Sequence, residues 1–403
     1  MASSLSWLDF DHAARERSQA LLAFFNEPGT RDELGIGNIR DALADRLFPG
    51  TSTIQTRLRY MLLVPWVYQQ LEVERVPGAR FPERARQLEI ELIGALIANG
   101  SSEEGSHHSI IGAASRASLQ RLPSSVYWAG LGRWGIRQFA GSQNDYHQSI
   151  DPIYAARRAV GRKDNGELDG LSTTTWHPKL PNPSPRFPSQ ESLRLTRQEA
   201  EFLRDQVLQT HRGSYLAWLI GLAIPDDSAF PWEYTRAADL PPEIADNVRQ
   251  ARLFSRLMHG ASLLYNLLLA RLQSSEYWIK AHGEALARWQ EGTNWAELAD
   301  WDLDQFFEQI SFTGYRIHGG AQTFVKQWRD TACKHRNDIA QDTDAAALVR
   351  NREIALKKSL SRFTNPSALA RWSGSSGGSA LEYRWTTVRQ YLWDLRQGLD
   401  SES

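Results

Sequence analysis

Apolar residues recur at helical spacing over most of the chain. The clearest amphipathic stretch is Glu83–Asn99, which Gly100 would end. One side of this stretch carries Leu88, Leu92, Ile93, Leu96 and Ile97. Thr196 and Glu199 match a capping box at the start of another helix, Thr196–Leu208. The pattern therefore predicts a mainly α fold.

The same periodicity predicts further helices along the chain. They are Ala13–Asn26, Ile36–Leu47, Thr53–Val73 with a kink at Pro65, a short helix from Ser124 to Leu131, Ala245–Gln273 and Val388–Leu395. Within Ala245–Gln273, the part from Ser255 to Leu269 is predicted to be a central core helix. Its small residues Gly260, Ala261 and Ser262 would allow a neighbour to pack closely.

A proline-rich stretch separates two helix-rich blocks. Five prolines fall between Trp176 and Pro188, and a helix interior cannot hold them. We expect an N-terminal helical domain over residues 1–160, a connector over 161–192 and a C-terminal helical domain over 193–403.

Composition narrows the class of protein. The 403 residues are 41% hydrophobic and 23% charged, as in globular proteins. No apolar run is long enough to span a membrane, and the start lacks a secretory signal, so a cytoplasmic protein is expected. Cys333 is the only cysteine, which excludes a disulfide within one chain and a thiolate zinc site.

The basic residues are mostly arginine. Only seven of the 46 cationic residues are lysine, and the chain has 15 Trp and 12 Tyr. Arginine binds phosphate through a planar fork and stacks on aromatic rings, so this composition suits nucleic acid. A GC-rich genome would produce the same bias. Because the formal net charge is −1, nucleic acid would meet a local basic patch.

The strongest local signal is the segment from Gly35 to Tyr68, which predicts a helix, a Pro49-Gly50 turn and a second helix. Thr51, Ser52 or Thr53 would cap the second helix, whose amides would then offer an anion site. Thr51, Ser52, Gln55, Arg57 and Arg59 are the predicted contacts to the DNA backbone. The element is loosely similar to a helix-hairpin-helix module, although it lacks that module's second glycine. The alternative is an internal network in which Asp41 and Asp45 pair with Arg57 and Arg59.

Two other stretches could contact nucleic acid. In Leu122–Arg137, Tyr127 and Trp128 could stack on an unpaired base, or they could belong to the core. In the run from Arg362 to Arg384, a Ser/Gly loop follows several basic residues, which suits phosphate, or it is a surface turn. From this run Arg371 and Arg384 are predicted to contact DNA. His107-His108 lacks a third ligand, so no metal and no cofactor are expected.

Base excision requires at least one carboxylate with a suitable pKa. The candidates are Asp41, Asp45, Glu72, Asp145, Asp226 and Asp227. Asp41 is the predicted catalytic residue because it lies near the proposed anion site.

Several stretches resemble a bacterial family catalogued as a domain of unknown function. They are Ser6–Phe10, Arg31–Gly37, Leu47–Arg57 with Pro65-Trp66, Leu122–Arg137, Met258–Asn266 and Tyr383–Trp385. Members of that family occur among phage-defence genes, so the resemblance implies phage DNA or another defence protein as the partner. The chain is also similar to defence glycosylases that excise modified bases.

The predicted function is therefore anti-phage defence by a metal-independent DNA glycosylase. The alternatives are a non-catalytic DNA-binding or adaptor subunit of a multi-gene defence system and a structural scaffold.

Overall fold

The computed structural model describes residues 32–100, 109–114, 119–160, 174–311 and 314–401. Its α-helices are α1 (Gly37–Leu47), α2 (Tyr60–Val73), α3 (Phe81–Asn99), α4 (Pro123–Arg133), α5 (Gln143–Val160), α6 (Arg197–Thr210), α7 (Tyr215–Leu222), α8 (Pro242–Leu272), α9 (Glu276–Glu291), α10 (Trp295–Ala299), α11 (Leu303–Ser311), α12 (Gly319–Lys334), α13 (Thr343–Lys357), α14 (Pro366–Ala370) and α15 (Trp385–Asp400). Short 3₁₀ helices cover Gly78–Arg80, Pro231–Glu233, Ala237–Asp239 and Lys358–Leu360. Across these ranges the only β pairing is an isolated bridge between Arg137 and Trp176.

The prediction of a mainly α fold is confirmed. At the start of α6, the Thr196 hydroxyl accepts a bond from the Glu199 amide while the Glu199 carboxylate accepts one from the Thr196 amide, which is the predicted capping box. The helix predicted over Ala13–Asn26 lies outside the described residues. Over the described ranges, no helix is long and apolar enough to cross a membrane.

The start of the helix after Pro49-Gly50 was predicted wrongly. α2 begins at Tyr60 rather than at Thr53, and residues 48–59 form turns. Gly50 is required in these turns because its φ is +79° and a Cβ there would come within 2.4 Å of the Trp134 ring nitrogen. No helix N-terminus is therefore formed at Thr51–Thr53.

Packing divides the chain into two units, each discontinuous in sequence. The first unit comprises the described part of Met1–Leu47, Phe230–Trp232 and Arg236–Tyr383. The second comprises the described parts of Phe48–Ala229, Glu233–Thr235 and Arg384–Ser403. The domains predicted from the sequence describe parts of the chain that fold independently. Packing alone does not test independent folding, so these domains stay a prediction.

α8 forms the core of the first unit. It packs against α1, α9, α12 and α13, and its face from Leu253 to Ala270 is almost entirely buried. The predicted close approach at Gly260 is confirmed, because a Cβ there would lie 2.2 Å from the Trp289 ring.

α2 forms the core of the second unit. Every residue from Tyr60 to Tyr68 is buried, including Pro65 inside the helix. α2 packs against α3 and α4, while α15 packs against α6 and α7. The candidate site described next is built around the C-terminal half of α2.

Candidate active site

The residues predicted to hold a DNA phosphate are bonded within the second unit. Thr51 is buried, and its hydroxyl donates to the Phe48 carbonyl at 2.6 Å. The Gln55 side-chain oxygen accepts bonds from the Ser52 amide at 3.0 Å and from the Tyr391 hydroxyl at 2.9 Å. These contacts order the turns before α2.

An anion does lie near the start of α2, and it belongs to the protein itself. The Asp394 carboxylate accepts a bond from the Arg57 Nε at 2.8 Å and another from the Leu58 amide at 2.7 Å. The Thr56 and Arg57 amides donate instead to the Tyr127 hydroxyl, at 2.9 and 3.1 Å. Burial raises the pKa of Asp394, while Arg57 acts in the opposite direction.

Arg59 is also neutralised inside the unit. Its Nε and Nη2 form a fork on the Glu199 carboxylate at 2.9 and 2.8 Å, and its Nη1 lies 3.0 Å from the Glu191 carboxylate. Its guanidinium also lies 5.5 Å from the centre of the Trp66 ring. The alternative of an internal network is therefore correct in kind, but the partners of Arg57 and Arg59 are carboxylates other than Asp41 and Asp45.

The remaining predicted residues have different surroundings. Tyr127 is fully buried and Trp128 is 5% exposed, as expected for core aromatics. Arg384 donates to the Thr51 carbonyl at 2.8 Å within the second unit. Asp41 lies in the first unit, where it pairs with Arg40 at 2.9 Å, and Arg371 is exposed in the same unit.

A carboxylate cluster that the sequence reasoning did not select lies at the end of α2. Glu72 accepts bonds from the Trp176 Nε1 at 2.9 Å, the Thr175 hydroxyl at 2.9 Å and the Arg157 Nη1 at 2.6 Å, and also from the Tyr146 hydroxyl. Its side chain is 7% exposed. Four donors therefore fix the orientation of this one carboxylate.

One turn earlier on α2, Tyr68 lies at the centre of an aromatic cluster. Its ring centroid lies 5.3–5.9 Å from those of Phe81, Trp128, Tyr146, His147 and Trp176. Because Tyr68 and Glu72 are four residues apart on one helix, the cluster and the carboxylate share a face of α2.

A chain of hydrogen bonds connects Tyr68 to a second carboxyl group. The Ser124 hydroxyl and amide donate to the Glu89 carboxylate at 2.7 and 2.8 Å. The Gln143 side-chain amide donates to the Ser124 hydroxyl at 2.9 Å and to the Tyr68 hydroxyl at 2.6 Å. The Tyr68 hydroxyl lies 3.1 Å from the His147 Nε2, within hydrogen-bonding distance.

The two ends of this chain have shifted pKa values. Burial raises the pKa of Glu89 to about 7, against the lowering effect of the Ser124 bonds. Burial lowers the pKa of His147 to about 4, so its ring is neutral near pH 7.

Two carboxyl groups in contrasting surroundings can divide the work of acid–base catalysis. Glu72, held by donors, can stabilise a positive charge or orient a water molecule. Glu89, which has a pKa of about 7, can give up or take a proton near neutral pH. Within the described ranges, no group of three or more His, Cys, Asp and Glu side chains is placed to hold a metal ion.

These observations define a mainly helical protein with an enclosed cluster of carboxyl and aromatic groups, which we call the Glu72 cluster: Tyr68, Glu72, Glu89, Ser124, Gln143, Tyr146, His147, Arg157, Thr175 and Trp176. A family model described as a family of unknown function, DUF6361, matches residues 2–398. The chain therefore belongs to that family, which confirms the predicted membership in a family of unknown function. No curated protein and no solved structure matches the chain.

Proposed function

We propose that this chain is a bacterial anti-phage defence protein that acts on phage DNA as a metal-independent glycosylase excising modified bases. The observation that carries the proposal is that two carboxyl groups connect to one aromatic cluster in a single unit. Glu72 accepts bonds from Tyr146 and Trp176, and Glu89 is linked to Tyr68 through Ser124 and Gln143. Contrasting carboxyl environments accompany glycoside cleavage in other enzymes.

In this proposal, Glu72 is the carboxylate that stabilises the positive charge developing on the sugar or activates water. Arg157, Thr175 and Trp176 fix its orientation through the three bonds at 2.6–2.9 Å. A donor set of this kind holds the carboxylate ready before the substrate arrives. Glu89 supplies the proton that the departing base requires.

The aromatic rings around Tyr68 would hold the flipped base by stacking. Tyr68 and Tyr146 are fully buried, so base entry requires these rings to separate. Gln143, His147 and Arg157 are the half-buried members of the cluster on α5. We therefore propose that entry occurs past α5.

The test is incubation of the purified protein with normal and hypermodified phage DNA, followed by alkali to cleave abasic sites. Strand breaks are expected on modified DNA, with and without EDTA. Glu72→Gln should abolish them, while Glu74→Gln, an exposed neighbour on the same turn, should not. Asp41→Asn belongs in the same series, because Asp41 is the catalytic residue that the sequence predicts. Absence of abasic sites on every DNA tested, with a folded protein, would refute the proposal.

A non-catalytic DNA-binding or adaptor subunit is the second candidate. It is favoured by the enclosure of Tyr68 and Tyr146, because a base could enter the aromatic cluster only if these rings separated. This candidate predicts DNA binding whose logarithmic affinity falls with the logarithm of salt concentration, without a cleaved product. Protection against phage by the single gene would argue against it.

A further inference from the structure

One end of the first unit exposes an aromatic ring among basic side chains. We call it the Tyr277 surface, and it comprises Arg271, Tyr277, Lys280, Lys358, Leu360 and Arg371. These residues lie at the end of α8, the start of α9, the 3₁₀ helix Lys358–Leu360 and the end of α14. None of them belongs to the Glu72 cluster.

Side-chain contacts join these four elements to one another. The Gln273 side-chain amide, at the end of α8, donates to the Leu369 carbonyl in α14 at 2.8 Å. The Trp278 and Trp372 ring centroids lie 6.3 Å apart, which connects the start of α9 to the residue after Arg371. The Asn365 side-chain amide donates to the Ser359 carbonyl at 2.8 Å, which connects α14 to the 3₁₀ helix. The four elements that carry the exposed residues are therefore neighbours.

The apolar part of this surface is exposed, and its ring contacts a second ring. Tyr277 is 71% exposed and Leu360 is 66% exposed. The Tyr277 ring packs edge-on against Trp278, with centroids 4.8 Å apart and planes at 78°. This edge contact leaves the faces of the Tyr277 ring open to a second flat ring, which could stack there.

The charge of the surface is strongly positive. Arg271, Lys280, Lys358 and Arg371 are exposed, and Glu276 is the one exposed carboxylate in residues 271–280 and 357–371. The two other cations of these stretches, Lys357 and Arg362, bind the buried Glu33. Arg271 donates to the Ala340 carbonyl at 2.7 Å, and because a carbonyl carries no net charge, the positive charge of all four exposed cations can still meet an anionic partner.

We propose that the Tyr277 surface binds a single-stranded segment of DNA, with a base stacked on Tyr277 and phosphates along Arg271, Lys280, Lys358 and Arg371. Basic residues interleaved with exposed rings are how sequence-tolerant sites bind unpaired strands. A duplex keeps its base faces covered, so a lone exposed ring favours an unpaired strand. The choice of DNA as the partner rests on the proposed function. The inference adds that the DNA is single-stranded and that it binds at the Tyr277 surface.

The experiment is fluorescence anisotropy with the full chain and a labelled oligothymidylate of about 20 nucleotides, longer than most single-strand sites. Tyr277→Ala should weaken binding about tenfold, and Tyr277→Phe should bind as the wild type does. The double variant Lys358→Ala/Arg371→Ala should reduce the slope of log affinity against log salt by about 1.4, because each lost phosphate contact removes about 0.7. Arg212→Ala, an exposed arginine of the other unit, is the matched control and should change neither quantity.

Equal binding by the wild type and Tyr277→Ala would overturn the proposal, as would preference for the same sequence as a duplex. Labelled polyglutamate that binds the wild type more tightly than oligothymidylate does would instead indicate an acidic protein partner and also overturn the proposal. The assay needs no turnover, so its failure is separable from that of the proposed function. Binding that depends on Tyr277, without base excision, refutes only the proposed glycosylase activity. Base excision that Tyr277→Ala leaves unchanged refutes only the proposed binding at this surface.

Discussion

Asp394 and Arg57 form a buried ion pair, with 2.8 Å between the Asp394 Oδ1 and the Arg57 Nε, although they are 337 positions apart in the chain. The same carboxylate accepts the Leu58 amide at 2.7 Å. α15 thus supplies the negative group next to the start of α2. A residue in the last helix thereby completes a segment that the sequence suggested for a phosphate.

Asp394→Asn should destabilise the protein by about 3–5 kcal/mol, because it leaves the Arg57 guanidinium buried without its counter-charge. Replacing both partners, as in Arg57→Met/Asp394→Leu, should recover part of that loss, while the Leu58 amide stays without an acceptor. Urea unfolding at pH 7 measures both variants. If the single substitution is as stable as the wild type, the pair does not hold this segment.

The sequence predicted local features of the helices better than the long-range contacts between them. The capping box at Thr196 and the close packing at Gly260 are local or depend on residue size, and both were predictable. The start of α2 was not, because Thr51, Ser52 and Thr53 are good capping residues in any context. The Thr51 and Ser52 carbonyls instead accept bonds from the Arg384 and Thr387 side chains, and such long-range contacts leave no local pattern.

The Glu72 cluster shows the same limit. Glu72 was one of six candidate carboxylates, and the four-residue spacing from Tyr68 was visible in the sequence. Thr175 and Trp176, which donate to it, stand in the stretch expected to be part of a connector. Only the folded chain shows that this stretch returns to α2. A search for buried carboxylates with aromatic residues one turn away would have ranked Glu72 higher.

The pH dependence of stability should contain two opposing contributions. The pKa of Glu89 is raised from 4.5 to about 7 in the folded protein, so its contribution is complete below pH 4.5 and is lost as pH rises to 7. The pKa of His147 is lowered from 6.5 to about 4, so its contribution is complete above pH 6.5 and is lost as pH falls to 4. Between pH 4.5 and 6.5 the two contributions oppose each other.

Glu89→Gln should therefore remove a contribution that falls by about 3 kcal/mol between pH 4.5 and 7, since each pKa unit corresponds to about 1.4 kcal/mol. His147→Gln should remove a contribution to stability that rises with pH instead of falling. This contribution should be smaller than that of Glu89, because His147 is partly exposed. Denaturant unfolding at several pH values, expressed as wild type minus variant, isolates each one. Two differences with the same sign of slope would contradict the assignment.

Two glycines of the first unit should respond oppositely to alanine. A Cβ at Gly260 would lie 2.2 Å from the Trp289 ring, so Gly260→Ala should destabilise by about 1–3 kcal/mol through overpacking. Gly283 lies inside α9 with no atom within 4 Å of such a Cβ, so Gly283→Ala should stabilise by about 1 kcal/mol. Thermal unfolding monitored by circular dichroism measures both. Equal shifts for the two variants would mean that Trp289 can move aside.

Glu72→Gln tests whether the four donors around this carboxylate act as one unit. The substituted side chain would present an amide NH₂ to groups that are donors themselves, and Arg157 would lose its counter-charge. The free energy of unfolding should fall by about 2–4 kcal/mol. Glu74 is the matched control, because its side chain is 40% exposed and lies 3.8 Å from Arg84. Glu74→Gln should change stability by less than about 1 kcal/mol. Urea unfolding of both variants at pH 7 decides the matter, and similar losses for the two substitutions would mean that the bonds to Glu72 add nothing beyond a surface charge.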